Sequence, residues 1–534
     1  MEDKTIARRF RYTRMQIVHM CMVLLGLAGM TALAGCATTN PGDGPVPGKG
    51  RQYMQATGHI IRSHSTGLLL RPFSALSRLT FVTLNTITTT IKPAYPRNVE
   101  SLPIPPLNDG PGMDLEAWEA YLDRTTRPAT RGTVDVVIDG EEFFTRFADA
   151  VNAAKESVSL RMYIFDNDDF AVSVGEILKR RSNEGIDTKV LLDGIGTIIS
   201  TVEEQENLPA DHKPPRSVRR FLEQDSNVDV RQTQNPWFTG DHVKTAIIDR
   251  QVAFTGGMNI AREYRYDWHD LMIELRGPIV DVMQHEFDKA WAHAGFLGDL
   301  AYARVALRGT PVVADAVGYP VRTLFTRTEN AEIYRVQRKA IQRSQRYVYV
   351  QNPYFTDDVM LFELARARKR GVDVRVIIPL ETDRGLITRN NALAANALLR
   401  NGVRVFIYPG MSHVKAALYD DWACLGSANW DRWSFRINKE LNIATSEPGP
   451  TRELRERVFE RFARLQEGRS RDQGGTGLGL ALSRRIAEAH GGRLHVEDSP
   501  LGGAAFVVSL PSAGWTGSPV DDDESGQVAD SGVA

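Results

Sequence analysis

One constellation of residues occurs twice, about a third of the chain apart. The first copy is His242, Lys244 and Asp249 followed by Gly256, Gly257 and Asn259; the second is His413, Lys415 and Asp420 followed by Gly426, Ser427 and Asn429. An acidic residue stands eleven positions after each asparagine, Asp270 in the first copy and Glu440 in the second. Agreement of residue type and spacing over such a length requires one folding unit to be built twice. Duplicated units can meet across a pseudo-two-fold axis and bring one histidine from each into a shared cleft.

The flanks repeat as well. In the first copy 134–137 reads as a strand, 142–155 as an amphipathic helix, 158–165 as an alternating strand, 171–183 as a helix and 187–192 as a strand. In the second, 331–343 and 359–369 read as helices, and 347–351 and 374–378 as strands. Gly277-Pro278 opens a helix carrying Phe287, and Gly449-Pro450 opens one carrying Phe459 at the same offset. The expectation is an α/β protein of two pseudo-symmetric repeats, 131–300 and 301–465, each with helices covering a largely parallel sheet.

At 534 residues there is room for about three domains. The formal charge of −1 gives no sign of a protein that coats a polyanion through many phosphate contacts, which counts against nucleic acid as a partner. The body contains one cysteine, Cys424, read as a small core residue; His285 and His293 lie outside the motifs and read as structural.

Lys4, Arg8, Arg9, Arg11 and Arg14 precede an apolar run over 15–34, the layout of an export signal. The run closes on Leu33-Ala34-Gly35-Cys36, which resembles a bacterial lipobox. That resemblance implies a signal peptide over 1–35, lipidation of Cys36 and, with Ala37 next, an outer-membrane address. An uncleaved membrane-spanning helix is the alternative; both readings put the body outside the cytoplasmic membrane. Residues 36–130 then form a tether and a basic, membrane-proximal segment. Between Gly44 and Asn98 there is no acidic residue, and a helix over 73–91 would align Phe73, Leu76, Leu84, Ile87 and Ile91. Such a helix either lies on an anionic lipid surface or packs on the body.

On a strand, His242 and Lys244 point to one face and Val243 to the other; His413 and Lys415 do the same. Gly256, Gly257, Gly426 and Ser427 allow close approach of a phosphate, and Asn259 and Asn429 supply amide donors. Two lysines and two asparagines would stabilise the charge of a pentacoordinate phosphorus. One imidazole can attack phosphorus while the other protonates the leaving alcohol, which needs one neutral and one cationic ring. Asp270 and Glu440 are suited to hold the imidazoles by hydrogen bonds. Asp249 and Asp420 complete the motifs as strand-end support.

The two H-x-K-x4-D motifs resemble those of the phospholipase D superfamily. Trp268-His269-Asp270, Gly277-Pro278 and Asn438-Lys439-Glu440 are similar to the bacterial cardiolipin-synthase branch in particular, over about 131–460. The resemblance implies a phosphatidyltransferase or phosphodiesterase that needs neither a metal nor a cofactor and passes a phospholipid through a phosphohistidine to an alcohol or to water. It also implies His242 as nucleophile and His413 as acid, an order the residues themselves leave open, as they leave open the oligomeric state. The second motif is one residue shorter between Asp420 and Gly426, which a tighter hairpin would absorb. An exported endonuclease of the same superfamily is the alternative enzyme.

Gly474-Gly-Thr-Gly-Leu-Gly479, a helix over 481–489 and an apolar run over 505–510 resemble the end of a histidine-kinase ATPase domain. Only some 55 residues match. The magnesium-binding and adenine-binding motifs that should precede them are missing, so 466–512 reads as a remnant; a non-catalytic nucleotide sensor is the alternative of another class. The acidic, Gly/Ser-rich 513–534 reads as disordered.

Overall fold

The computed structural model describes residues 49–91, 99–200, 208–209, 211–309, 318–460, 493–498 and 504–509. The leader with Cys36, the glycine-rich run 474–479 and the tail 513–534 lie outside the described residues. Two compact units are distinguished, Met1–Arg469 and Ser470–Ala534.

The larger unit carries one continuous sheet. The first repeat supplies β1 (Thr130–Ile138), β2 (Ser157–Met162), β3 (Asp187–Leu192), β4 (Asp229–Gln232), β5 (Thr245–Ile248), β6 (Val252–Gly256) and β7 (Leu271–Arg276). The second supplies β8 (Tyr319–Arg327), with the two-residue β9 (Asn330–Ala331) beside it, then β10 (Tyr347–Gln351), β11 (Asp373–Pro379), β12 (Arg404–Tyr408), β13 (Ala416–Tyr419), β14 (Trp422–Gly426) and β15 (Glu440–Thr445). The spatial order β12-β11-β10-β13-β14-β15-β8-β1-β7-β6-β5-β2-β3-β4 is a palindrome of equivalent strands about the β8–β1 seam. That order is the signature of two like units joined edge to edge.

The sheet differs from the expectation of a largely parallel one. Only β2–β3, β3–β4, β10–β11 and β11–β12 are parallel; the other pairings are antiparallel. The cause is local. Each histidine-bearing segment turns back immediately as a hairpin, β5–β6 or β13–β14, and a short turn permits only antiparallel pairing. Three residues separate Ile248 from Val252, but only two separate Tyr419 from Trp422. The missing residue is therefore absorbed at the hairpin tip, and β5–β6 keeps the register of β13–β14.

Helices cover the sheet through apolar stripes. Asp139–Ala153 buries Phe143, Phe144, Phe147 and Val151. The next helix of each repeat is begun by an aspartate, Asp168 accepting from the Ala171 amide and Asp357 from that of Met360. Both helices end before a glycine at positive φ, Gly185 at 102° and Gly371 at 92°, where a side chain would be strained. One apolar cluster lies beneath each repeat. A third spans the seam, joining Val243, Ile279 and Phe287 to Val414, Leu418 and Phe459.

Lys49–Leu70 and Pro72–Ile91 form a helical hairpin packed on the first repeat. Arg71 at its bend donates to the carbonyls of His293, Ala294 and Gly295, the unsatisfied end of the helix Ile279–Ala294. The packing alternative is thus realised, yet Phe73, Leu76, Leu84 and Ile87 remain exposed. Among the described residues no helix is long and apolar enough to cross a membrane. In the smaller unit, Arg493–Asp498 and Ala504–Ser509 pair as an antiparallel hairpin.

Candidate active site

The histidines meet at the seam because each is stitched to the other repeat. The His242 amide donates to the Lys439 carbonyl at 2.9 Å, and the His413 amide donates to the His269 carbonyl at 2.7 Å. Each of those carbonyls belongs to the residue just before an acid. Consequently the acids cross over: His242 Nδ1 lies 2.9 Å from Glu440 Oε2, and His413 Nδ1 lies 2.7 Å from Asp270 Oδ2. Both carboxylates are fully buried, so each is a short, dry contact that fixes the orientation of a ring from the opposite half.

The lysines are buried beside them. Lys244 Nζ donates to the carbonyl of His242 at 2.9 Å and lies 4.9 Å from the Tyr163 ring centroid. Lys415 Nζ donates to the carbonyl of His413 at 2.5 Å and also sits 2.8 Å from His413 Nδ1. That nitrogen can donate to Asp270 or accept from Lys415, but not both at once. His242 faces no such competition.

The glycines are there because the acids are close. A Cβ on Gly256 would fall 2.4 Å from the Leu271 carbonyl oxygen, and one on Gly426 would fall 2.3 Å from that of Leu441. A Cβ on Gly257 would come 2.3 Å from Asp270 Oδ1. At the equivalent place, Ser427 Oγ instead donates to Glu440 Oε2 at 2.6 Å and accepts from the Leu441 amide. Asn259 is committed to structure: its Oδ1 accepts from the Ile164 amide and its Nδ2 donates to Tyr264 Oη. Asn429 Oδ1, equally buried, has no hydrogen-bond partner among the described residues.

Burial sets the protonation of the centre. Desolvation, then Lys244 and Lys415, lower the pKa of His242, and desolvation followed by the same two lysines lowers that of His413. Burial also pushes Lys244 down to about 7 and Lys415 to about 8, and raises Asp270 to about 7 and Glu440 to about 8. In the free site both rings are pushed the same way. An arriving phosphate anion offsets the lysine charge and favours protonation of an imidazole.

Asp249 and Asp420 hold backbone at the ends of the motif strands. Asp249 accepts from the amides of Lys155, Glu156 and Ser157 at 2.8 Å each. Asp420 accepts from those of Met113, Gln345, Arg346 and Tyr347. Both clamp the start of a neighbouring strand, at the end of the motif strand away from the histidine. Cys36 lies outside the described residues.

Several participants had no signal in the sequence. Asp193 accepts from the amides of Ile195, Gly196 and Asp241 and from Asn235 Nδ2, fixing the loop that delivers His242. Asp241 beside it pairs with Arg161 at 2.6 Å and Lys439 at 3.3 Å; burial opposes its charge, but these cations hold it at about 2. Tyr163 stands edge-on to His242 at 4.7 Å, and Tyr264 and Trp268 flank His413 at 5.3 and 5.5 Å. Of these only Trp268 fell in a recognisable motif. Away from the centre, Asp166, Asp168 and Glu263 bring oxygens within 4.8 Å of one another, but Asp168 is engaged in capping Ala171 and Arg262.

The family described as "Cardiolipin synthase, PLD-like domain" matches residues 147–291 and 338–465, together just over half of the chain. Cardiolipin synthase A of Pseudomonas putida is 28% identical over 380 residues, covering 66% of this chain and 73% of that protein. Cardiolipin synthase of Listeria welshimeri is 28% identical over 340 residues, covering 61% and 68%. Among solved structures, a phosphatidylserine synthase of Haemophilus influenzae superposes with a TM-score of 0.49 at 14% identity, covering 66% of this chain and 91% of that one. With two H-x-K-x4-D halves joined at a single seam, the chain belongs to the cardiolipin synthase, phospholipase D-like family.

Proposed function

We propose that the chain is a phospholipid phosphatidyltransferase of the cardiolipin-synthase type, acting through a covalent phosphohistidine. The observation that carries the reading is the crossed pairing, in which each imidazole is oriented by the acid of the other repeat. With Nδ1 occupied, Nε2 is the nitrogen left for chemistry on each ring. His242 Nε2 attacks phosphorus, the bond to the leaving alcohol breaks, and His413, protonated once phosphate is bound, gives its proton to the departing oxygen. His413 then takes the proton of an acceptor alcohol or water, whose oxygen displaces the histidine. Lys244, Lys415 and the side-chain amide nitrogen of Asn429 stabilise the equatorial oxygens, while Gly256, Gly257 and Gly426 let the neighbouring acid-bearing strand approach and Ser427 holds Glu440. Asn259 holds the frame, and Asp270 and Glu440 are positioning residues.

A phospholipid substrate is supported by the family and by the apolar face of the helical hairpin. A lipid anchor at Cys36 and an outward-facing membrane address remain part of this proposal on the strength of the leader sequence alone. Lipid analysis of cells expressing the wild type and His242→Ala tests it: cardiolipin or phosphatidic acid should rise only with the wild type. Unchanged levels of both would refute a lipid substrate.

A further inference from the structure

The loop that delivers His242 is held from outside the family-matched segments. Residues 49–91 precede both of them, yet the helix Lys49–Leu70 grips three residues of the stretch between β4 and His242. Thr66 Oγ1 accepts from Gln234 Nε2 at 2.8 Å, His59 Nε2 lies 3.1 Å from Asn235 Oδ1, and His64 Nε2 accepts from the Trp237 amide at 3.0 Å. Trp237 stands at φ 61°, a left-handed conformation that a bulky residue keeps only where its surroundings enforce it. His64 contributes that enforcement by engaging the amide, with its ring edge-on to the indole at 4.4 Å.

The His59 contact leads to the nucleophile. Asn235 is fully buried, and its Nδ2 donates to Asp193 Oδ2 at 2.7 Å and to the Thr239 carbonyl at 2.9 Å. Both of those partners only accept, so the Asn235 oxygen must face His59, and His59 Nε2 must carry the proton between them. Asp193 Oδ2 in turn accepts from the amide of Asp241, the residue before His242, at 2.8 Å. The chain His59–Asn235–Asp193–Asp241 therefore runs from the helical hairpin to the backbone of His242, and beyond His59 its members are buried. Gly194 belongs to the same arrangement: a Cβ there would come 2.2 Å from His59 Nε2, so the imidazole is seated against the backbone beside Asp193.

The need for such support is one-sided. The segment ahead of His242 runs over 233–241, whereas the one ahead of His413 runs only over 409–412. A longer loop has more conformations to lose before its histidine is placed. We propose that His59 is a positioning residue for His242, acting through Asn235 and Asp193, and that the N-terminal helical hairpin is thereby a working part of one half of the active site. The proposal rests on the phosphohistidine reading, in which His242 attacks phosphorus.

The test isolates that attack. In the full chain carrying His413→Ala, an aryl phosphodiester, whose leaving group departs without an acid, should release a burst of aryl alcohol as the phosphohistidine forms. Adding His59→Ala should slow the burst about tenfold with its amplitude unchanged. His59→Gln, whose amide nitrogen can donate to Asn235 in place of Nε2, should restore the rate. A structural role alone would shrink the amplitude, which counts folded sites, and leave the rate constant as it was. That result, or equal slowing by His59→Ala and His59→Gln, would overturn the proposal. Ser65→Ala, on the same helix with its hydroxyl bonded to the helix's own carbonyls, should leave rate and amplitude unchanged; slowing as large as that of His59→Ala would mark a general loosening of the helix and overturn it too. A parent chain with no burst would refute the phosphohistidine reading and this role with it, whereas a normal burst that His59→Ala fails to slow refutes the brace alone.

Discussion

In the first repeat the motif asparagine, Asn259, is tied to the Ile164 amide and the Tyr264 hydroxyl, whereas in the second Asn429 keeps its side-chain oxygen unpartnered beside the centre. The histidines diverge as well. His242 has one acid on Nδ1, and His413 has an acid and an ammonium on the same nitrogen. Near-identical motifs therefore give unequal environments, and an enzyme that needs one nucleophile and one acid requires such inequality. A dedicated acid on His242 favours the tautomer with a lone pair on Nε2. The divided contacts of His413 leave its proton easier to move.

Exchanging the histidines gives the largest expected effect. His242→Ala and His413→Ala should each lower phospholipid turnover by about a thousandfold or more. With an aryl phosphodiester, whose leaving group needs no acid, His413→Ala should still release a burst of aryl alcohol and His242→Ala none. A burst from the His242 variant alone would reverse the assigned roles.

The asparagines separate next. Asn429→Ala should reduce kcat by roughly tenfold to a hundredfold with little change in unfolding temperature. Asn259→Ala should instead destabilise the fold by about 1–3 kcal/mol, since it leaves a buried amide and hydroxyl unpaired. Equal loss of stability from both would erase the asymmetry.

The lysines sharpen it least but independently. Burial holds Lys244 at about 7 and Lys415 at about 8, so raising the pH discharges Lys244 first and phosphate affinity falls. In a profile of kcat/KM against pH, Lys244→Arg should move the alkaline fall from about 7 to about 8, because the guanidinium stays charged. Lys415→Arg should leave it near 7.

Much of the fold was legible in the chain. Strands 187–192 and 347–351 coincide with β3 and β10, and helix 171–183 begins two residues late against Asp169–Asn183. Local periodicity suffices there, because each element buries one apolar stripe. The direction of strand pairing was not legible, since a buried strand reads the same whichever way its neighbour runs. Asp193 and Tyr163 were also hidden, because their partners are brought to them only by the folded sheet.

The sequence alone determined the duplicated unit, the residue types of the centre and the hairpin that absorbs the one-residue difference; these follow from spacing along the backbone. Only the tertiary structure decided that Glu440 serves His242 and Asp270 serves His413, and that Asp249 and Asp420 clamp backbone amides. The physical reason is the seam. Hydrogen bonds from His242 to Lys439 and from His413 to His269 join residues 197 and 144 positions apart, and no local pattern encodes a contact whose two sides are written in different halves of the chain.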